Sequence, residues 1–242
     1  MIYLDYSATT PVDPRVVEAM SPYFSASFGN PSSVHRFGQQ AEAAVDSARE
    51  TVARVLNCRP DEIIFTSCGS ESDNLAIRGA AYAVREKTGA KWILASRAEH
   101  PAVTKTLSYL EKYDGFLIEW LDVDERGRVT PEVVSRAICE DTALVSVMYA
   151  NNEIGTINPL RDLAEICRAK RILFHTDAVQ AAAYLPVDVQ ELGVDMMSLG
   201  AHKFYGPKGV GALYVRKGTP LVPHLTGGGQ EFGLRAGTQN VP

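Results

Sequence analysis

Several things are scarce in this sequence. Its 242 residues carry 24 lysines and arginines against 29 aspartates and glutamates, a net charge of −5, with no basic stripe. Nucleic acid is therefore not an expected partner. No apolar run approaches the roughly 18 residues that a spanning helix needs, so no membrane segment is expected. The opening MIYLDYSATTP has no cationic region and no apolar core of a secretory signal, which leaves the cytoplasm as the default expectation. The four cysteines, Cys58, Cys68, Cys139 and Cys167, form no CxxC pair and show no zinc-like spacing with histidine. Reduced thiols and no metal site are expected. Internal repeats, low-complexity tracts and long linkers are also missing.

What is present is an ordinary globular composition, 45% hydrophobic, enough for one large domain or two small ones. Residues 32–57 read as a long amphipathic helix. Val34, Phe37, Ala41, Val45, Ala48, Val52 and Val55 recur at steps of three and four, with Ser32 or Ser33 as N-cap. Beyond it, short apolar runs alternate with helical segments. Strands are predicted at 62–66, 92–96, 116–123, 143–150, 172–178, 195–201 and 211–215, and helices at 70–86, 101–113, 130–140 and 159–169. Such alternation predicts a mostly parallel sheet covered by helices on both faces. The glycine-rich HLTGGGQEFG (224–233) reads as a loop.

Open parallel sheets bind ligands beyond the carboxyl ends of their strands. Small, polar or ionisable residues succeed five of the predicted strands: Ser67 to Asn74, Arg97 to His100, Asn151 to Gly155, Asp177 and Gln180, and His202 with Lys203. Cys68-Gly69-Ser70 fits a serine N-cap, and equally a helix start whose free amides suit a phosphate. His100 is either a strand-ending histidine satisfied by backbone or an imidazole lying flat on a planar ligand. Asp177, ending an apolar strand, is a helix cap or the partner of a cation. Lys203, desolvated at the same rim, suits an amine nucleophile that forms a Schiff base with an aldehyde. Lysine, aspartate and a helix N-terminus together match the needs of pyridoxal phosphate. The turn Gly206-Pro207-Lys208-Gly209 lacks the spacing of a phosphate loop and precedes a strand, so a tight turn beside the lysine is expected.

The motifs YLDYSATTP, FGNPSSVHRFG, IIFTSCGSESDNLAI, AEHPAV, NNEIGT, HTDAVQ, SLGAHKFYGPKGVGALYV and GGGQEFGLRAGTQN occur in that order along the chain. Together they resemble the cysteine desulfurases of the NifS/IscS type, class V aminotransferases of pyridoxal-phosphate fold type I. The resemblance implies an N-terminal arm (1–13) packing with a small domain and a cofactor-binding large domain (14–242). It implies that Lys203 holds the cofactor and moves protons at the substrate, and that His100 stacks on the ring and assists proton transfer. Asp177 would pair with the ring nitrogen and Gln180 with the phenolic oxygen. Gly69, Ser70 and His202 would hold the phosphate, Asn151 would sit near ring and substrate carboxylate, and Thr238 would reach a neighbouring subunit's phosphate in a homodimer. The implied reaction converts L-cysteine to L-alanine, with sulfur passing as an enzyme persulfide to an iron–sulfur scaffold or another acceptor.

Three departures accompany the resemblance. Gly200 stands where the family usually has a phosphate-touching serine. Cys68 replaces a usual glycine of the phosphate turn and reads as passive rather than nucleophilic. The family's persulfide cysteine, its carboxylate-binding arginine and its small domain belong to a C-terminal region expected to be missing here, the chain being either truncated or completed by a second polypeptide. The rival expectations are another class V enzyme (selenocysteine lyase, cysteine lyase or aminotransferase) or a noncatalytic scaffold.

Overall fold

In the computed structural model, which describes residues 2–242, seven strands form one sheet. In chain order the elements are α1 (Pro14–Ser25), α2 (Arg36–Leu56), β1 (Ile63–Thr66), α3 (Gly69–Thr88), β2 (Trp92–Ser96), α4 (Pro101–Asp114) and β3 (Leu117–Leu121). Next come α5 (Pro131–Ala137), β4 (Thr142–Ser146), α6 (Leu160–Ala169), β5 (Leu173–Asp177), α7 (Val189–Leu192), β6 (Met196–Gly200) and β7 (Gly211–Val215). The strand order is β1-β7-β6-β5-β4-β2-β3. Strands β3, β2, β4, β5 and β6 run parallel, while β7 is antiparallel to both β6 and β1.

Continuous burial of β4, β6 and β7 follows from helices on both faces. One face packs Leu75, Ile77 and Ala80 of α3 with Val103, Leu107 and Leu110 of α4. The other packs Leu56 of α2, Val134 of α5 and Leu163 and Cys167 of α6. Each fully buried aliphatic side chain of this kind contributes about 1.5–3 kcal/mol.

The long helix begins later than its periodicity suggests. Asn30 makes the turn, its carboxamide oxygen accepting the Ser32 N–H at 3.0 Å, and His35 is the cap, its Nδ1 accepting the Gly38 N–H at 3.4 Å. Neither Ser32 nor Ser33 caps α2, and Val34 and Phe37 lie exposed outside the buried stripe. The backbone of Ser33 presses on the first turn so closely that a Cβ on Gly38 would stand 2.0 Å from the Ser33 carbonyl oxygen. Strands β3 and β4 end two and four residues short of their apolar runs because the chain then turns into the carboxyl edge. Helix α1 lies outside the predicted elements; it buries no residue fully, and its stripe of Val16, Met20 and Tyr23 is only half-buried. Its start is nonetheless marked by Asp13, which accepts the Arg15 N–H at 2.8 Å, and by Pro14 in the first turn.

Candidate active site

Five strand ends converge on one cavity of about 560 Å³. Its wall includes Cys68, Gly69 and Ser70 from the β1–α3 turn, His100 after β2, Met148, Asn152 and Glu153 after β4, Asp177 and Gln180 after β5, and His202 and Lys203 after β6. Asp5, Ser7 and Ala8 of the N-terminal segment close the remaining side.

That segment is zipped to the turn bearing the lysine. The Thr10 N–H and hydroxyl both donate to the His202 carbonyl, at 2.9 and 3.0 Å, and the Tyr205 N–H donates to the Thr10 hydroxyl at 2.8 Å. The Lys203 ammonium donates to the carbonyls of Ser7 and, at 2.9 Å, Ala8. Gln180 also donates to the Ser7 carbonyl, at 2.7 Å. Burial lowers the Lys203 amine below the usual lysine range, against the opposing attraction of Asp177, Asp5 and Glu153. His202 is lowered too, by burial first and then by Lys203 and Lys208; its Nδ1 lies 3.1 Å from the Thr9 hydroxyl.

Asp177 is 5% exposed and its Oδ1 accepts the Val179 N–H at 2.9 Å. Burial pushes its carboxyl above the usual range, outweighing the Val179 bond and the nearby His100 and Lys203. Asp73, one turn into α3, is pushed up as well, by burial and then by Asp177. Behind them His175 is fully buried and held to about 3, hence neutral. Its Nδ1 and Nε2 lie 2.9 Å from the hydroxyls of Ser146 and Ser198. The 3.6 Å approach of His175 to Asp73 is therefore not an ion pair.

Helix α3 starts at Gly69, with Cys68 at the N-cap and no side-chain cap bond; Ser70 lies inside the helix and is not the cap. The first-turn amides thus remain open donors at the positive end of the helix. A Cβ on Gly69 would meet Val179 Cγ2 at 2.6 Å, so glycine is required there by close packing. His100 caps α4: its Nδ1 accepts the Ala102 N–H at 3.1 Å, which leaves Nε2 as the nitrogen carrying the proton of the neutral ring.

Two expected site residues are not brought to this cavity. Asn151 is spent on its own turn, donating to the Ala98 carbonyl at 2.8 Å and accepting from the Glu153 and Ile154 amides at 2.8 and 3.0 Å. Its neighbours Asn152 and Glu153 line the wall instead. Thr238 lines a separate cavity of about 280 Å³ with Phe65, Arg235 and Gln239. All four cysteines are free, and burial pushes the thiols of Cys58 and Cys167 to about 12, as unreactive structural groups. Among the described residues no cluster of three or more His, Cys, Asp or Glu could hold a metal, and no helix is long and apolar enough to cross a membrane. Sequence reasoning does not single out Ser7, Ala8, Asp73 or Met148. Backbone carbonyls have no sequence signature, and an aspartate inside a helix reads as solvent-facing.

A mostly parallel sheet that gathers a lysine, buried carboxyl groups and a helix N-terminus at its carboxyl edge belongs to the class of open-sheet folds that bind ligands at that edge. Within that class, the chain belongs to the aminotransferase class-V family, whose model matches residues 2–242. It is 52% identical over 240 residues to Cysteine desulfurase IscS of Dictyoglomus turgidum, covering 99% of this chain and 60% of that protein. It is similar to a solved NifS-like protein at 46% identity and a TM-score of 0.95, covering 99% of this chain and 66% of the other. It is also similar to SspA in complex with cysteine, at 42% identity and a TM-score of 0.94, covering 100% and 69%. The expected α/β architecture is therefore that of the NifS/IscS-type proteins, and the chain spans about 60% of the length of the curated relative.

Proposed function

We propose that the chain is the cofactor-binding portion of a pyridoxal-phosphate-dependent cysteine desulfurase, which takes sulfur from L-cysteine, leaves L-alanine and passes the sulfur on as an enzyme persulfide. The observation that supports this best is the single cavity where Lys203, Asp177, His100 and the open start of α3 meet.

The residues fit the cofactor. A buried carboxylate is costly to ionise unless a cation meets it, and the pyridinium nitrogen would be that cation for Asp177. The lowered Lys203 amine is the nucleophile that would hold the aldehyde covalently. The packed turn at Gly69 and the amides after it, with Ser70 and His202, would hold the phosphate. When bound, the cofactor supplies an electron sink for the substrate's bonding electrons. The chain's own contribution is orientation and proton handling. His100 would present Nε2–H over the ring, Gln180 would bond the phenolic oxygen, and Lys203 would move the substrate proton. Closure by Asp5, Ser7 and Ala8 narrows access of water.

The rest of the reading concerns the whole protein. Residues 1–13 form the arm that packs with a small domain and 14–242 the large domain. Thr238 reaches the phosphate of a second subunit of a homodimer, and Asn151, next to the cavity wall at Asn152, stands near the ring and the substrate carboxylate. The persulfide cysteine is supplied by a further C-terminal segment or a separate polypeptide, and an iron–sulfur scaffold or other acceptor receives the sulfur in the cytoplasm.

The test is direct. With pyridoxal phosphate added, the protein is expected to gain a visible absorption band, and borohydride is expected to fix the cofactor on the peptide containing Lys203. A folded sample that gives no band and no labelled Lys203 peptide would defeat the reading.

A further inference from the structure

The sheet changes its winding direction between β2 and β4. From β2 the chain moves outward through α4 to β3, whereas from β4 it moves through α6 to β5 on the other side. At such a switch point the two outgoing loops diverge and leave a crevice. The turn 97–100 forms one bank and residues 147–151 the other.

Glu99 crosses that crevice. It is 8% exposed, and its Oε1 accepts the Met148 N–H from the far bank at 2.9 Å and the Ser96 hydroxyl from its own bank at 2.7 Å. A second brace runs the other way, from the Asn151 carboxamide to the Ala98 carbonyl at 2.8 Å. The next residue is His100, whose ring is held at its other side by the Ala102 N–H. Met148 and His100 face the cavity; Glu99 does not.

We propose that Glu99 is a positioning residue, whose carboxyl spans the switch-point crevice and sets the His100 ring and the Met148 wall relative to Asp177. The brace itself stands on these bonds alone; its consequence for catalysis rests on the function proposed above. The second carboxyl oxygen, Oε2, has no hydrogen-bond partner among the described residues. Burial, with a smaller push from Asp177, raises Glu99 to about 8, which makes it a neutral acid near pH 7. A neutral acid that works only as an acceptor is mimicked by glutamine and not by alanine.

Hydrogen exchange on the cofactor-free chain tests the brace through the amides of Met148 and Ala102, the latter reporting the His100 ring. Glu99→Ala is expected to speed exchange at both by about tenfold, the factor for one lost hydrogen bond, while amides of α6 keep their protection. Glu99→Gln is expected to leave both amides as in the native chain. With pyridoxal phosphate bound, the visible circular dichroism that reports ring orientation should weaken in Glu99→Ala and persist in Glu99→Gln. Unchanged exchange at Ala102 in Glu99→Ala, or equal damage in Glu99→Gln, would overturn the proposal. If Glu99→Ala does not fold, Ser96→Ala removes one of the two donors to Oε1, and absence of any local increase at Met148 and Ala102 overturns it equally. Failure of the native chain to take up pyridoxal phosphate would instead sink the functional reading, and the exchange result would still decide the brace.

Discussion

Two groups of buried charge lie on this fold, and they are built on opposite lines. In one, Arg49 of α2 and Glu231 of the glycine-rich segment meet in a two-pronged ion pair, each prong 2.7 Å, with side chains 6% and 1% exposed. Both carboxylate oxygens and both Nη nitrogens are engaged. Glu231 also accepts the Phe65 N–H at 2.8 Å and a bond from Gln239, while Arg49 lies between the rings of Phe65 and Phe232. In the other group Asp73 and Asp177 line the cavity and Glu99 is buried outside its wall, with no arginine among them. Asp73 and Glu99 each keep an oxygen without a partner, and all three carboxyls are raised by burial. Full pairing marks a group that holds the chain together, whereas the open group has capacity left for a ligand.

Breaking the paired group should have the largest effect. Arg49→Ala leaves Glu231 buried without its cation, and such a loss costs about 3–5 kcal/mol. The value is expected at the upper end, since the ring contacts and the bond from Arg49 to the Ile63 carbonyl go as well. Urea unfolding would measure it, and proteolysis should open residues 227–240 first, because Glu231 and Phe232 hold left-handed backbone (φ 46° and 60°) only while anchored. A loss below 1 kcal/mol would show that full pairing is not what anchors this segment.

The open group predicts a pH effect of definite sign. Glu99 rises from its ordinary 4.5 to about 8 on folding, so the native state binds more protons than the unfolded state between those values. Stability then falls as pH rises through that window, by about 5 kcal/mol from this group. Asp73 and Asp177, raised likewise, add the same sign. Glu99→Gln removes the titrating group, so its stability should decline less between pH 5 and pH 8.5, a difference that denaturant midpoints at the two pH values would reveal. Parallel curves for mutant and native protein would show that Glu99 is already ionised at the lower pH.

The contrast between these groups is only half legible in the sequence. The seven strands can be read because continuous apolar runs bounded by turns leave few alternatives, and the carboxyl-edge rule then picks out His100, Asp177, His202 and Lys203. The antiparallel course of β7 shows only in the short link from Gly200 to Gly211, too few residues for the crossover that a parallel pair needs. The pairing of Arg49 with Glu231 joins residues 182 apart, and no local pattern carries that. Glu99 stands in view beside His100, but its bond to the Met148 amide depends on the sheet order. Val34 misleads because the helical period continues through a turn that Asn30 and His35 make non-helical, and Phe37 because its side of α2 faces solvent.

Smaller effects should separate packing from ligand capacity within the open group. Gly69→Ala drives a Cβ to 2.6 Å from Val179 Cγ2, an overpacking expected to cost about 1–3 kcal/mol. Val179→Ala in the same chain should recover most of that loss in a thermal melt. No recovery would mean that the cost arises from the backbone of the α3 start and not from the clash.

Gly200→Ser is the gentlest change and separates the two roles most sharply. A Cβ at this position would lie 3.3 Å from Val179 Cγ1 and 3.4 Å from the Gly69 nitrogen, contacts a shift of a few tenths of an ångström accommodates. Stability should therefore move by less than about 1 kcal/mol. The new hydroxyl, however, stands beside the open amides of α3, where one added donor to a phosphate is worth about 0.5–1.5 kcal/mol. Pyridoxal phosphate should bind up to about tenfold more tightly, and pyridoxal without its phosphate should gain nothing. Equal gains for both ligands would place the hydroxyl's benefit on the ring and remove the start of α3 from the phosphate site.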